Sequence, residues 1–463
     1  MQNLVTPDGL QLFDEANICL ARGDAATAET YLWAARRLAP DIAEIHANLA
    51  LLLDERGERQ EAEGCYREAL RLAPDYASAH LNLGALLAEQ RRYDEACLHY
   101  ETSLALRPES ARAWSNLGVL LTCVRRDADA EGCLRRALAL DPDYARARYN
   151  LGYLLLRQGR YAEGWPLFEA RDWYAGYQQH LPWPRWTGPD LAGQALMLVC
   201  EAGQGDMIQF CRYVAELKAR GVARLGLLCH PPLKRLFAGL AGLDCLAGLD
   251  EPLPEGEWDG WVPMLSVPGL CDTRLETIPA KLPYLLAEPA AQAGWRERLA
   301  VACTPGALRV GLAWQGNPRF ENDAERSLPG IATLAPLWQV PGVVFVSLQK
   351  GPGELGAVPP GQPLFNPAAE LHDFADTAAL MANLHLVISV DTAVAHLAGA
   401  LGLPCWLMLP DHKTDWRWFL GRSDTPWYPG ALRLFRQPQV GDWTSVVVAL
   451  QASLAVLASM RQT

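Results

Sequence analysis

The feature that most limits how this chain can fold is a recurrence at a spacing of 34 residues. Four stretches align on it, opening "AEIHANLALLL" at Ala43, "ASAHLNLGALL" at Ala77, "ARAWSNLGVLL" at Ala111 and "ARARYNLGYLL" at Ala145, and a weaker copy starts at Gly9. Each copy reads as two helices with apolar residues at helical period. Small residues stand where the two would cross: Gly84, Gly118 and Gly152 on the first helix, Ala62, Ala96 and Ala130 on the second. Pro40, Pro74, Pro108 and Pro142 stop the second helix, because the proline ring lacks an N–H and clashes with the preceding turn. A unit this small cannot bury its apolar face alone, so successive copies must stack on one another.

This pattern resembles the tetratricopeptide repeat family over about residues 9 to 170. The resemblance implies an α superhelix with a concave groove that serves as a binding surface. Asn48, Asn82, Asn116 and Asn150 recur at one position of the first helix, so stacking should bring them into a ladder. An amide offers a donor and an acceptor, which suits clamping the backbone of an extended peptide without reading its sequence. The same amide can equally bond a neighbouring helix within the repeats.

Charge and composition narrow the classes. The 463 residues carry a formal charge of −12, which argues against general nucleic-acid binding, since that needs a basic face to displace phosphate counterions. No apolar run approaches the roughly 18 residues of a membrane span, and the start "MQNLVTPDGLQLFDEA" lacks the basic and apolar regions of a signal peptide, so a cytoplasmic location is expected. The twelve cysteines form no CxxC pair and no cluster at metal spacing; they read as reduced, buried small residues, and no metal is expected.

After the repeats the texture changes. Residues 164 to 193 are thick with Trp, Tyr, Pro and Gly and follow no helical period. They read as an ordered linker whose aromatics glue the last repeat to the next domain. From Gln194 strands alternate with helices: "ALMLVC" (195–200), "RLGLLCH" (224–230) and "GWVPML" (260–265), then "RVGLAWQG" (309–316), "GVVFVSLQ" (342–349), "LHLVISV" (384–390) and "PCWLML" (404–409). Two Rossmann-like α/β lobes are expected, with ligands at the carboxyl ends of the strands. The division expected is repeats over 1–175, linker over 176–193, lobes over 194–305 and 306–440, and a final helix over 441–463.

Four strand ends carry unusual residues. In "GQGD" (203–206), Gly205 permits close backbone approach and Asp206 stands in the first turn of one long helix, either facing the cleft or as an N-cap. The polar loop "WQGNPRFENDAERSLP" (314–329) holds Gln315, Gly316 and Arg326, an arginine that could meet an anion or be an ordinary surface charge. In "SLQKGPGE" (347–354), Gln349 and Lys350 emerge from a buried strand into a Gly/Pro turn, and with Gly205, Gln315 and Gly316 they are expected among the residues that bind the donor or its phosphates. Finally, "ISVDTAVAHLAGALGLP" (388–404) carries Asp391, Thr392, Ala393 and His396 at a strand-to-helix turn. Asp391 and His396 are five apart, roughly 140° round a helix, so they share no face and form no simple dyad. Asp391 is expected as the N-cap, with the free amides of Thr392 and Ala393 turned to an anion. His396 is either a phosphate partner or a satisfied core histidine.

"GQGDMIQFCRYVAELKARG", the "RSLP" after the Trp-Gln-Gly loop and "LVISVDTAVAHLAGALGLPCWLML" resemble the heptosyltransferase family of GT-B glycosyltransferases over about residues 190 to 440. That likeness implies a nucleotide-sugar donor as substrate with no cofactor or metal, the donor on the second lobe and the acceptor on the first. It further implies Asp206 as general base, Arg326 on the donor phosphates, and Asp391, Thr392, Ala393 and His396 at the pyrophosphate. Arg326 replaces the lysine usual in that family, and the first lobe is short. Repeats followed by a transferase also resemble protein O-glycosyltransferases, whose repeats hold a polypeptide. The alternatives are a non-catalytic repeat scaffold and a transferase acting on lipopolysaccharide or another glycan.

Overall fold

The computed structural model describes residues 8–461 apart from 189, 321, 352, 353, 355–357, 359 and 360. The chain divides into two compact units, residues 1–154 and 155–463.

In the first unit the period is realised without drift. First helices span Gly9–Ala21, Ala43–Glu55, Ala77–Glu89 and Ala111–Cys123, and second helices Ala25–Leu38, Arg59–Leu72, Tyr93–Leu106 and Asp127–Leu140. A further helix, Ala145–Arg157, straddles the division, and the second helix of that repeat, Tyr161–Phe168, belongs to the other unit. Each of the second helices before a proline ends two residues ahead of it, at Leu38, Leu72, Leu106 and Leu140. The crossing residues are small for a steric reason. A Cβ on Gly84 would stand 2.8 Å from the Tyr100 ring, and one on Gly118 2.8 Å from Leu134 Cγ. Ala96 and Ala130 are fully buried opposite them, and Ala62 is fully buried at the same position of its own repeat.

The second unit contains two parallel sheets. The first has strands β1 (Ala195–Val199), β2 (Arg224–Cys229), β3 (Cys245–Gly248) and β4 (Gly260–Pro263), in the order β3-β2-β1-β4. The second has β5 (Leu308–Ala313), β6 (Val343–Ser347), β7 (Leu364–Phe365), β8 (Leu386–Val390), β9 (Cys405–Leu409) and β10 (Leu432–Arg436), in the order β10-β9-β8-β5-β6-β7. Within that sheet the first and fourth strands in sequence lie side by side, and the chain runs outward from them in both directions. This is the doubly wound order, in which crossovers leave to opposite faces on either side of β5 and β8 and open a crevice at their carboxyl ends. The first sheet repeats the arrangement with fewer strands, its crevice between β1 and β4. The helix Trp443–Ser459 covers one face of the second sheet, with Val446, Leu450 and Leu454 buried against Leu334 and Leu337 of the segment Ile331–Gln339.

The aromatic linker is part of the first lobe. Tyr174, Tyr177, Leu181 and Trp183 pack with Met197, Val199, Trp258 and Trp261, and Arg185 bridges in parallel to Trp261 beside β4. The segment thereby stands where a fifth strand would continue the short sheet. A buried ion pair ties it down: Arg171 donates to both carboxylate oxygens of Glu201, at 3.1 and 2.7 Å, and to Ser266 Oγ. Glu201, just beyond β1, also accepts from the Leu265 N–H at 2.8 Å, so it joins the ends of β1 and β4.

The expected long helix after β1 is two short ones, Gln204–Phe210 and Tyr213–Ala219. The break falls at Arg212, which is buried and binds the carbonyls of Gln209, Pro279 and Trp427 with its guanidinium.

Candidate functional site

β8 is buried along its whole length and delivers Asp391 and Thr392 to the crevice beside β5. The helix Ala393–Ala400 starts there. Residues 391–394 are half-buried, and the remainder of the helix is buried. Two glycines set its surroundings. A Cβ on Gly205 would meet His396 Cδ2 at 2.8 Å and Ala393 Cα at 3.3 Å, so glycine lets the helix Gln204–Phe210 lie against this first turn. A Cβ on Gly399 would run into the Tyr428 ring. Gly205 thus serves helix packing.

The cap differs from the sequence expectation. Thr392, with extended backbone at φ −142° and ψ 172°, is the N-cap, and no side chain bonds the helix start. The Thr392 hydroxyl is 3.2 Å from Ser389 Oγ instead. Asp391 turns away and accepts from Trp418 Nε1 at 2.8 Å. The first-turn amides are therefore left without a side-chain cap, the condition in which a helix start can hold an anion. His396 Nδ1 lies 2.8 Å from the Tyr428 hydroxyl, and its ring packs on Trp418. Burial holds its pKa well below the usual value, and the charges of Arg417, Arg212 and Arg326 push the same way, so it is a neutral core histidine.

Asp206 is the third residue of its helix. It accepts from the Gly203 N–H at 2.8 Å and forms an ion pair with Arg417 Nη2. Arg417 Nη1 donates to Asp415 Oδ2 at 2.9 Å. Arg417 and Asp415 lie on the turn after β9, so Asp206 and Arg417 link the carboxyl ends of the two sheets. Burial pushes the Asp391 carboxyl up to about 6; Asp415 adds to the rise, while Arg326, the Trp418 N–H and Arg417 oppose it. Burial also raises Asp415, against the pull of Arg417.

Three consecutive residues on that turn meet three different surroundings. Trp416 packs among Trp165, Trp427, Tyr161 and Phe168, with ring centroids 5.4 to 6.4 Å apart. Arg417 meets the two aspartates, and Trp418 reaches Asp391. The next residue, Phe419, has φ +53°, a left-handed backbone that costs energy for a side chain this large; Arg436 holds it by bonding the Trp418 and Phe419 carbonyls at 2.6 Å each.

The ends of β5 and β6 carry the other expected donor residues. Arg326 is mostly buried, with Nε 3.3 Å from Asp323 Oδ1 and its guanidinium over the Phe320 ring. The Gly316 N–H donates to Ser327 Oγ at 2.8 Å, and Gln315 Nε2 to the Leu328 carbonyl at 3.2 Å, which folds the loop back on itself. Gln349 does not face a ligand as expected. It is buried, its Oε1 accepts the N–H groups of Trp314 and Gln315 at 3.0 Å each, and its Nε2 binds the Gln315 and Lys350 carbonyls. Lys350 is exposed and donates to the Ala368 carbonyl at 2.8 Å. Glu321 of the one loop and Pro352 and Gly353 of the other lie outside the described residues.

In the repeats, Asn48, Asn82, Asn116 and Asn150 are all half-buried. Asn48 Nδ2 donates to Asn17 Oδ1 at 2.9 Å, and Asn82 Oδ1 accepts weakly from Arg112 at 3.4 Å. At the first two positions these amides therefore bond within the array.

A family model described as the middle TPR-like domain of cilia and flagella-associated protein 70 matches residues 12–132, and a TPR repeat model matches residues 130–159. The N-terminal segment is a tetratricopeptide repeat array. A curated relative, Protein FlbA of Caulobacter vibrioides (strain ATCC 19089 / CIP 103742 / CB 15), is 29% identical over 321 residues, or 62% of this chain and 51% of its own length. That match is longer than the repeats, so it runs into the second unit, and the chain spans about half the length of this relative. Among solved structures, Pseudomonas aeruginosa PilF is 22% identical over 50% of this chain and 92% of its own, with a TM-score of 0.35. MamA of Desulfovibrio magneticus RS-1 is 22% identical over 38% of this chain and 97% of its own, with a TM-score of 0.31. Among the described residues no helix is long and apolar enough to cross a membrane, and no group of three or more His, Cys, Asp and Glu could hold a metal ion.

Sequence reasoning missed Asp415, Arg417 and Trp418. Their signal was present in "TDWRWFLGR", where two tryptophans flank an arginine directly after an aspartate, just beyond a buried strand.

Proposed function

We propose that this chain is a GT-B type glycosyltransferase that moves a sugar from a nucleoside-diphosphate donor to a protein or peptide held by the repeats. The observation that carries the reading is the uncapped start of the helix Ala393–Ala400 in the crevice between β5 and β8, with Arg326 and Arg417 close enough to act on Asp391 and His396. A diphosphate there would meet backbone amides, the positive end of a helix and two guanidiniums, the groups that stabilise a departing anion. Asp206, on the opposing helix, would take the acceptor's hydroxyl proton. The acceptor oxygen then bonds to the sugar's anomeric carbon, the bond from that carbon to the phosphate oxygen breaks, and its electron pair leaves with the nucleoside diphosphate. The extended array of half-buried asparagines is where an acceptor backbone would lie.

The test is a thermal-shift panel of ADP-, GDP-, UDP- and CMP-sugars on the full chain. A donor at about 100 times its dissociation constant stabilises the fold by about 2.7 kcal/mol, an easily read rise in midpoint. We expect one nucleotide class to give that rise. No shift with any donor would leave the chain a repeat scaffold for protein interactions.

A further inference from the structure

The pair formed by Asp206 and Arg417 raises a difficulty for any anion-binding role of this site. Arg417 pairs with Asp206 and Asp415, and Arg326 with Asp323, so the cations are already matched. A diphosphate adds more negative charge, which a rigid cluster of this composition would repel. The way out lies in how Arg417 is held. Its Nη1 and its backbone N–H both bind Asp415, at 2.9 and 3.0 Å, and Asp415 sits on the same turn. Its Nη2 binds Asp206, which sits on an element of the other sheet. The guanidinium lies over the rings of Trp416 and Phe210, at 4.9 and 5.3 Å, flat surfaces that leave its edge directed at the carboxylates. The neighbouring Trp418 is bonded to Asp391 at the very start of the helix Ala393–Ala400.

We infer that Arg417 is a latch: it holds Asp206 while the site is empty, transfers Nη2 to the diphosphate when a donor arrives, and so frees Asp206 to take the acceptor's proton. The inference rests on the donor reading above. Nη2 makes a single charge-assisted bond to Asp206 Oδ1, and a phosphate oxygen can accept that same bond in its place. Asp415 keeps the guanidinium in place throughout. Once Nη2 leaves Asp206, Oδ1 is open to accept a bond from the acceptor's hydroxyl. The base is thus uncovered only after the leaving group is gripped, which orders the reaction, donor before acceptor.

The competing account makes the pair a plain tie between the two lobes, and the two accounts predict opposite signs. Calorimetric titration of ADP, GDP and UDP into the full chain should be run on wild type, Asp206→Asn, Arg417→Gln and Arg417→Lys, with a melting curve on each to confirm folding. With a latch, Asp206→Asn releases Arg417 and tightens the best-bound diphosphate by about 5- to 10-fold, within the usual span of coupling between sites. Arg417→Gln weakens it by about 10-fold or more, as expected for loss of a charge-assisted contact. Arg417→Lys falls between, since lysine keeps the charge without the fork. A structural tie instead makes Asp206→Asn and Arg417→Gln weaken binding alike, and that result overturns the latch. Binding that none of the three variants alters also overturns it while leaving the donor reading intact. Failure of wild type to bind any of the three diphosphates removes the donor reading and the latch with it.

Discussion

The two units differ in where they put charge. In the repeats the ion pairs lie outside, as where Arg92 and Arg67 share Glu63 and Glu95 on the second helices, with side chains up to about half exposed. The fold there comes from apolar stacking and close glycine crossings, and the ions decorate it. The α/β unit has surface pairs too, such as Arg298 with Glu370, but it also places ions inside: the Arg171 and Glu201 side chains are both 0% exposed, and Arg417 is 7% exposed beside Asp206. A charge taken out of water must keep its partner, so a buried pair fixes local geometry in a way that a surface pair does not. Buried charge marks the ends of β1, β4, β8 and β9, where the candidate chemistry is.

The contrast breaks most visibly at Arg171. Arg171→Ala leaves Glu201 buried and unpaired, and should destabilise the unit by about 3–5 kcal/mol; urea unfolding followed by tryptophan fluorescence reads the loss. A shift comparable to that of a surface variant would mean that the linker is not integral to the first lobe. A middle-sized effect is expected from pH. An unfolded aspartate loses its proton near 3.9, whereas native Asp391 holds it up to about 6. Between about pH 4 and 6 the native state therefore binds more protons than the unfolded one, and this group's contribution to stability falls as pH rises through that window. Asp415 is shifted in the same direction. Melting midpoints measured across the window should decline more steeply in wild type than in Asp391→Asn, and parallel curves would refute the assignment. The smallest effect belongs to Arg92→Ala in the repeats, where Glu63 keeps Arg67 and solvent. Its midpoint should stay within the scatter of repeat measurements.

The same contrast explains what could be read from sequence. The repeats were legible almost to the residue, because a period, a proline stop and a small crossing residue are all local signals. In the α/β unit, seven strands were legible as buried apolar runs. β3 and β7 were not, being four and two residues long, and β10, "LRLFR", alternates with arginine in the manner of an edge strand. At the site, the strand-to-helix turn at 391–393 was recognisable, yet the placement of the cap was not. Asp391 looks like an N-cap until Trp418, 27 residues later, takes its carboxylate. Gln349 emerging from a buried strand gives no local hint that two backbone N–H groups of the loop after β5 wait for it. Side chains engaged by distant partners leave no trace at their own position.

The turn from Trp416 to Trp418 has a consequence for how this protein can change over time. Three adjacent residues face an aromatic cluster, a pair of aspartates and the start of a helix, with no spare residue between them. Insertion or deletion of a single codon there would hand every side chain to the wrong neighbour at once. Loops usually tolerate length variation; here three contacts made by three consecutive residues make a change of length costly, whereas a point substitution alters one contact at a time.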